Sequence, residues 1–222
     1  MKTELLSTNH VALARAVALL EQGEVIALPT DTVYGVAADG LNPDAIEKLY
    51  AVKKRSRDKA IPLLLASAED LALVVAEAPR GARVLAERFW PGALTLVVRA
   101  RENLPAILRA GGNSVAVRVP DHPTPRALAQ TLGRPLAATS ANLSGGRDPS
   151  TAQEVLDQLD GRLPLVLDGG RVGGGVPSTV VDFSVEPPRV LRIGALAVAE
   201  LEKTLGASLA MPKTSSPGID RR

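Results

Sequence analysis

Runs with strand character and stretches with helical spacing take turns along most of this chain, and a layered α/β fold is what satisfies both patterns together. Val11, Ala14, Val17 and Leu20 recur at helical spacing over residues 9–22, and Gly23 follows where a left-handed stop residue is wanted. A strand over 24–28 comes next. Asn42-Pro43 then opens a helix in cap-then-proline order, with Ile46, Leu49 and Tyr50 on its inner face. Ile61 to Ala66 reads as a buried strand, and Ser67 with Asp70 resembles a loose capping box for a helix beyond it. The spacing predicts a helix over 79–89, strands over 93–99 and 114–119, a helix after Pro123, a strand over 135–139 and a helix over 151–159. Strands over 164–168, 178–183 and 189–193 and a helix over 196–205 close the order. The final strands are closely spaced, which suggests antiparallel pairing and a mixed sheet. The expectation is one α/β domain over residues 1–206, followed by a disordered tail over 207–222 where Pro, Ser and Gly replace the pattern.

Composition narrows the chemistry. With no cysteine and only His10 and His122, the chain offers no disulfide framework, no thiolate zinc site and no histidine metal cluster. The metal expectation is therefore none beyond what a substrate carries. Apolar runs such as Leu71 to Ala76 are too short to cross a membrane, and Met1-Lys2-Thr3-Glu4 lacks a signal-peptide core, so a cytoplasmic protein without membrane contact is expected. The net charge of +2 is small. Five aromatic residues, Tyr34, Tyr50, Phe89, Trp90 and Phe183, make no stacking platform for single-stranded nucleic acid.

Several segments carry polar side chains where packing alone would not put them. The apolar Val25-Ile26-Ala27-Leu28 runs into Pro29-Thr30-Asp31-Thr32-Val33-Tyr34-Gly35, in which two hydroxyls flank a carboxylate at a strand's carboxyl edge. Lys53 follows Ile46 and Tyr50 at helical spacing, which points its ammonium inward, and Arg55 lies just past the helix. The pair could grip a phosphate or carboxylate, or form a solvated basic helix end; Lys54, Arg57 and Lys59 fit the solvated reading. Ser114, Ala116 and Arg118 share one face of an alternating strand, and an arginine there needs a partner. Asp121-His122-Pro123 reads as turn chemistry. Thr139-Ser140-Ala141-Asn142 ends a strand of small residues, which lets a ligand approach the backbone, although an ordinary turn reads the same way. Gly169 to Gly175 lacks the lysine and helix order of a phosphate loop and reads as a mobile flap or a plain loop. Pro177 to Asp182 brings polar residues into another strand, and Arg192 adds a cation on the last one.

In this order the segments resemble the YrdC-like family of threonylcarbamoyl-AMP synthases. The resemblance rests on PTDTVYG at 29–35, Lys53-x-Arg55, SVAVRVPDHP at 114–123, SANLSG at 140–145, PSTVVD at 177–182 and VLRIG at 190–194. It implies a YrdC-like catalytic domain whose twisted mixed sheet, flanked by helices, encloses a large electropositive cavity. It also implies an enzyme, a nucleotidyltransferase that joins L-threonine, bicarbonate and ATP into threonylcarbamoyl-AMP and pyrophosphate for modification of tRNA. By the family pattern Thr32, Arg118, Ala138 and Ser178 contact threonine. Arg55, Lys59, Ser114, Ser140 and Arg192 contact ATP, and Lys53 with Asn142 joins Arg55 and Ser140 in the catalytic set. Magnesium arrives on the nucleotide. Weak binding of tRNA or double-stranded RNA and a downstream threonylcarbamoyl-transfer complex complete the expected partners. Two positions depart from the pattern: Ser56 stands where proline commonly follows the Lys-x-Arg, and Leu64 where some members place a threonine-binding histidine. The competing reading is an RNA-binding module with salt-dependent affinity and no nucleotide turnover.

Overall fold

The computed structural model describes residues 2–75, 77–173 and 176–212. Among the described residues ten strands form one sheet: β1 (Glu4–Ser7), β2 (Ile26–Leu28), β3 (Gly35–Asp39), β4 (Leu63–Leu64), β5 (Leu94–Arg99), β6 (Ser114–Arg118), β7 (Leu136–Ser140), β8 (Leu165–Asp168), β9 (Thr179–Asp182) and β10 (Arg189–Arg192). Their spatial order is β1-β8-β2-β3-β7-β4-β6-β5-β9-β10. Four parallel pairs (β1/β8, β2/β8, β4/β6, β5/β9) stand among five antiparallel ones (β2/β3, β3/β7, β4/β7, β5/β6, β9/β10), so the expected mixed sheet is present.

The helices are α1 (His10–Glu21), α2 (Pro43–Lys53), α3 (Leu71–Val74), α4 (Arg80–Phe89), α5 (Pro123–Leu132), α6 (Ala152–Leu159) and α7 (Val198–Leu205). Their starts follow from local chemistry. The Asn9 side chain accepts from Ala12 N, and the Asn42 side chain accepts from Asp44 N and Ala45 N with Pro43 inside the first turn. His122 caps α5 by accepting the Thr124 N–H on Nδ1 at 3.2 Å, so the Asp121-His122-Pro123 segment is turn and cap chemistry as read.

Three readings change. Strands β1 and β3 go unread in the sequence: β1 is four residues long, and Gly35-Val36-Ala37-Ala38-Asp39 is poor in β-formers, held instead by pairing on both edges, to β2 and β7. The strand expected over 61–66 narrows to Leu63–Leu64, and the helix after it is a single turn. Asp70 acts upstream, its Oδ2 accepting from Ala66 N and Ser67 N. The tail expected from residue 207 begins docked: Leu209 is buried and donates its N–H to Glu202 Oε1 at 2.8 Å, and Ala210 O accepts from Val190 N. Residues 213–222 lie outside the described residues.

Alternation along the strands creates two cores. Val36, Ala38, Leu63, Leu96, Val117 and Val181 point to the face that carries α2 and α4. Ile26, Leu28, Ala37, Leu136, Leu165 and Leu167 point to the other face, under α1 and α5. Helical cover of that second face reaches Leu64 on β4. Beyond it the sheet faces a cavity.

Candidate active site

The cavity measures about 340 Å³ and draws its wall from β3, β4, β5, β6, β7, β9 and β10 and the loops that follow or precede them. Period-2 alternation decides who lines it. On β6, Val115 and Val117 enter the core while Ala116 and Arg118 face the cavity; on β5, Leu94, Leu96 and Val98 enter the core while Thr95 and Val97 face it.

Arg118 is the buried centre of the site, 7% exposed. Its Nε donates to Gly92 O at 2.8 Å, Nη1 to Thr32 Oγ1 at 3.2 Å and Nη2 to Asp31 Oδ2 at 2.6 Å. Burial pulls its pKa down, the Asp31 carboxylate opposes that, and Arg192 adds to it. The partner that an arginine on this face requires is thus Asp31, whose Oδ1 is buried with no partner among the described residues. The loop between β2 and β3 presents both groups. Thr30 Oγ1 accepts from Thr32 N and Val33 N and donates to Val33 O, closing a tight hydroxyl-bonded turn that aims Thr32 at Arg118. Tyr34 ends the turn with its ring in the core. Its hydroxyl donates to Gly170 O at 2.7 Å and accepts from Gly169 N, which ties down residues 169–170; Gly174 and Gly175 of that glycine run lie outside the described residues. Burial pushes this phenol up to about 12.

Ser178 sits opposite, also buried. It shares a 2.7 Å hydrogen bond with Thr95 Oγ1, accepts from Arg192 Nη2 on its Oγ at 3.1 Å and from Arg192 Nε on its carbonyl at 3.0 Å. Gly194 makes this approach possible, since a Cβ there would lie 2.3 Å from Pro177 O.

The third wall is the loop after β7. Ser140 Oγ donates to Asn142 Oδ1 at 2.6 Å, and Asn142 Nδ2 donates to Gly146 O at 2.7 Å. Lys53, only 2% exposed, reaches this loop from below: its ammonium donates to Ser140 O, to Asn142 O at 2.6 Å and to Asn142 Oδ1 at 3.0 Å. The inward reading of Lys53 holds. All three of its donors end on the loop, so it fixes the wall from behind. Burial, then the field of Arg55, lowers its pKa to about 8, against a smaller opposing effect of Asp148.

Of the expected site residues, Thr32, Arg118, Ala138, Ser140, Ser178 and Arg192 meet in the one cavity, with Lys53 and Asn142 bonded directly to its wall. Arg55, Lys59 and Ser114 are not in that wall. Arg55 donates to Lys59 O and Ala60 O, curling the loop 55–60 back on itself, and Lys59 is exposed. Ser114 shares the Arg118 face but stands at the far start of β6. The reading missed Thr30, Thr95 and Asp148, which also line the cavity. Thr95 carried a signal, a hydroxyl between Leu94 and Leu96 in an otherwise apolar strand; Asp148, on an exposed loop, carried none. Leu64 is in the wall, 7% exposed, so the departure at that position is an apolar side chain facing the cavity.

Known proteins resemble this chain in sequence and in fold. The Sua5/YciO/YrdC family model, described as telomere recombination, matches residues 18–194. A Bacillus subtilis threonylcarbamoyl-AMP synthase is 42% identical over 92% of this chain and 59% of its own length. A Vibrio parahaemolyticus threonylcarbamoyl-AMP synthase is 39% identical over 79% of this chain and 95% of its own. The crystal structure of Pyrococcus abyssi Sua5 complexed with L-threonine superposes with a TM-score of 0.91 at 36% identity, over 94% of this chain and 62% of that one. The chain therefore spans about three fifths of the length of the Bacillus and Pyrococcus proteins. It belongs to the Sua5/YciO/YrdC family.

Proposed function

We propose that the chain is a threonylcarbamoyl-AMP synthase whose catalytic domain occupies residues 1–206. The observation that carries this reading is the convergence of Thr32, Arg118, Ala138 and Ser178 with Ser140 and Arg192 in one cavity. The Pyrococcus relative bound to L-threonine and the names of the curated relatives support it.

In this reading the amine of L-threonine, as the free base, combines with bicarbonate to form a carbamate and release water. A carbamate oxygen attacks the α-phosphate of ATP, and pyrophosphate leaves. No protein nucleophile is needed, because catalysis is alignment of three substrates plus neutralisation of their charge. Arg118 and Arg192 face the cavity as the cations that do this, and fixed hydroxyls of Thr32, Ser140 and Ser178 orient the substrates. Lys53 contributes by holding Ser140 and Asn142 in place. Arg55 and Lys59 act on the nucleotide only if the loop 55–60 turns its charges toward the cavity on binding. Magnesium enters on the phosphates of ATP. The product passes to a tRNA threonylcarbamoyl-transfer complex, and RNA contact by this chain is weak. Among the described residues no helix is long and apolar enough to cross a membrane.

Pyrophosphate release from ATP, with L-threonine and bicarbonate omitted in turn, tests the reading. Release is expected only with both present, and Arg192→Ala, which removes a cation that faces the cavity, should lower it roughly 10²- to 10³-fold, the range for losing one stabiliser of the transition state. Release indifferent to both omissions would sink the synthase reading.

A further inference from the structure

A second cavity, of about 280 Å³, lies between α5 and the loop that leads from β4 into α3, and no residue lines both it and the active-site cavity. Four-residue spacing decides its helical wall. Arg126 and Gln130 stand one turn apart on α5, and Arg134 continues the row just past the helix end. Ser67 and Asp70 supply the polar side of the loop opposite.

The charges of this wall come down to one cation and one anion. Arg134 is neutralised, since its Nη1 donates to the buried Asp39 carboxylate. Arg126 commits only its Nε, to Ala66 O at 3.0 Å, and its two Nη groups have no partner among the described residues. Asp70 commits Oδ2, which accepts from Ala66 N at 3.1 Å and Ser67 N at 3.0 Å, and forms no salt bridge among the described residues. Both side chains are thus anchored to the backbone of Ala66, one on its carbonyl and one on its N–H, yet their charged ends do not pair with each other. A lone anion here would meet the Asp70 carboxylate, and a lone cation would meet the Arg126 guanidinium. A molecule that carries both charges satisfies both.

We propose that this cavity binds a small zwitterion, with its oxyanion on the Arg126 fork and its ammonium on Asp70. Carboxylate and phosphate both match a guanidinium fork, so an amino acid and an amino phosphate ester share the required chemistry. The volume lies at the small end of the range for ligand pockets, roughly 300–1,000 Å³, which suits a short-stemmed molecule and not a nucleotide. Because Ala66 already fixes both charged side chains, little ordering is needed on binding.

Calorimetric titration of the wild-type chain tests the charge pattern without any variant. The ligands are phosphoethanolamine and β-alanine, which share a two-carbon ammonium stem, and inorganic phosphate and ethanolamine, which each carry one of the two charges. At least one zwitterion should bind about 10- to 100-fold more tightly than either single-charge compound, the range for one added charge-assisted hydrogen bond. Phosphoethanolamine as the tighter of the two identifies a phosphate ligand, and β-alanine a carboxylate. Arg126→Gln and Asp70→Asn should each weaken the zwitterion about 10- to 100-fold, and Asp70→Asn should also erase its advantage over inorganic phosphate. Thermal unfolding within about 4 °C of wild type shows that each variant folds. Arg192→Ala, which alters the active-site cavity, should leave zwitterion binding within about twofold of wild type, as distant sites act independently. Binding lost in Arg192→Ala and kept in Arg126→Gln would place the ligand in the active-site cavity and overturn the proposal. So would equal binding of the single-charge compounds, or no saturable binding of either zwitterion to the wild-type chain.

Discussion

One face of the sheet behaves in two ways. Under α1 and α5 it presents Ile26, Leu28, Leu136 and Leu165, each fully buried against the helices. Farther along, on β6, β5, β9 and β10, the same face presents Thr95, Val97, Ala116, Arg118, Val180 and Arg192 to a cavity. Hydrogen bonding is continuous between the halves through β7, β4 and β6. What differs is what stands opposite: large aliphatic side chains where a helix must be met, small, hydroxylic and cationic ones where a substrate must be. Ala138 and Leu64 belong to both halves and mark the seam. The site is thus the uncovered continuation of a core face, and its side chains inherit the rigidity of strands whose other face is packed.

The sharpest way to break this comparison is at Arg118, the buried charge of the open half. Arg118→Met leaves the Asp31 carboxylate, 15% exposed, without its counter-ion, and should cost about 3–5 kcal/mol of stability in denaturant unfolding. A loss below about 1 kcal/mol would mean that the pair is solvated and the half is not core-like. On the covered half, Leu136→Ala should cost about 2–5 kcal/mol, while Val180→Ala, half-buried at the cavity wall, should cost less than about 1 kcal/mol. Similar losses at the two sites would erase the distinction between the halves.

Those two halves were not equally legible in the sequence. Long periodic elements with punctuated ends, such as α1 after Asn9 and α2 after Asn42-Pro43, can be read directly, and so can the alternation that puts Arg118 beside Ala116. Strand β3 could not be, because glycine and alanine have no intrinsic reason to be extended and Gly35–Asp39 is a strand only through β2 and β7. The same limit applies in the site. Most residues on strands or at strand ends can be found, since a period fixes their direction, although Thr95 on β5 goes unread and Ser114, on the same face of β6 as Arg118, lies outside the wall. Arg55 and Lys59 were expected in the cavity but lie on the curled loop 55–60, where no period operates and the Lys59 and Ala60 carbonyls capture the guanidinium. Asp148 sits on another loop, and its place depends on Tyr34 and Glu154, distant in one case and in the next helix in the other.

Lys53 carries the comparison into pH. It is a cation inserted between the closed core and the cavity wall, with its pKa lowered to about 8 chiefly by burial. In the unfolded chain it titrates near ~10.4. Between these values the unfolded state holds more protons than the folded one, so stability should rise as pH goes from about 8 to ~10.4, by on the order of 3 kcal/mol, and this contribution should be flat below pH 8. Lys53→Met removes the titration. The difference in unfolding free energy between wild type and variant, followed from pH 7 to 10, should therefore change only in the alkaline part of the range, and a difference independent of pH would place the folded pKa near its ordinary value.

The smallest effect is expected at Thr95, and it tests whether the open half is organised for substrate and not merely left uncovered. Its hydroxyl bonds only Ser178 Oγ among the described residues, while Ser178 keeps both contacts from Arg192. Thr95→Val preserves shape and β-branching and removes that one hydrogen bond, so stability should fall by about 1 kcal/mol. If Thr95 serves to orient the Ser178 hydroxyl toward the amino acid, the KM for L-threonine should rise by a few-fold while the KM for ATP stays within about twofold, since a net hydrogen bond is worth only about 1 kcal/mol. A variant that loses the stability and leaves both KM values alone would show the Thr95–Ser178 pair to be packing, and would place the orientation of Ser178 with Arg192.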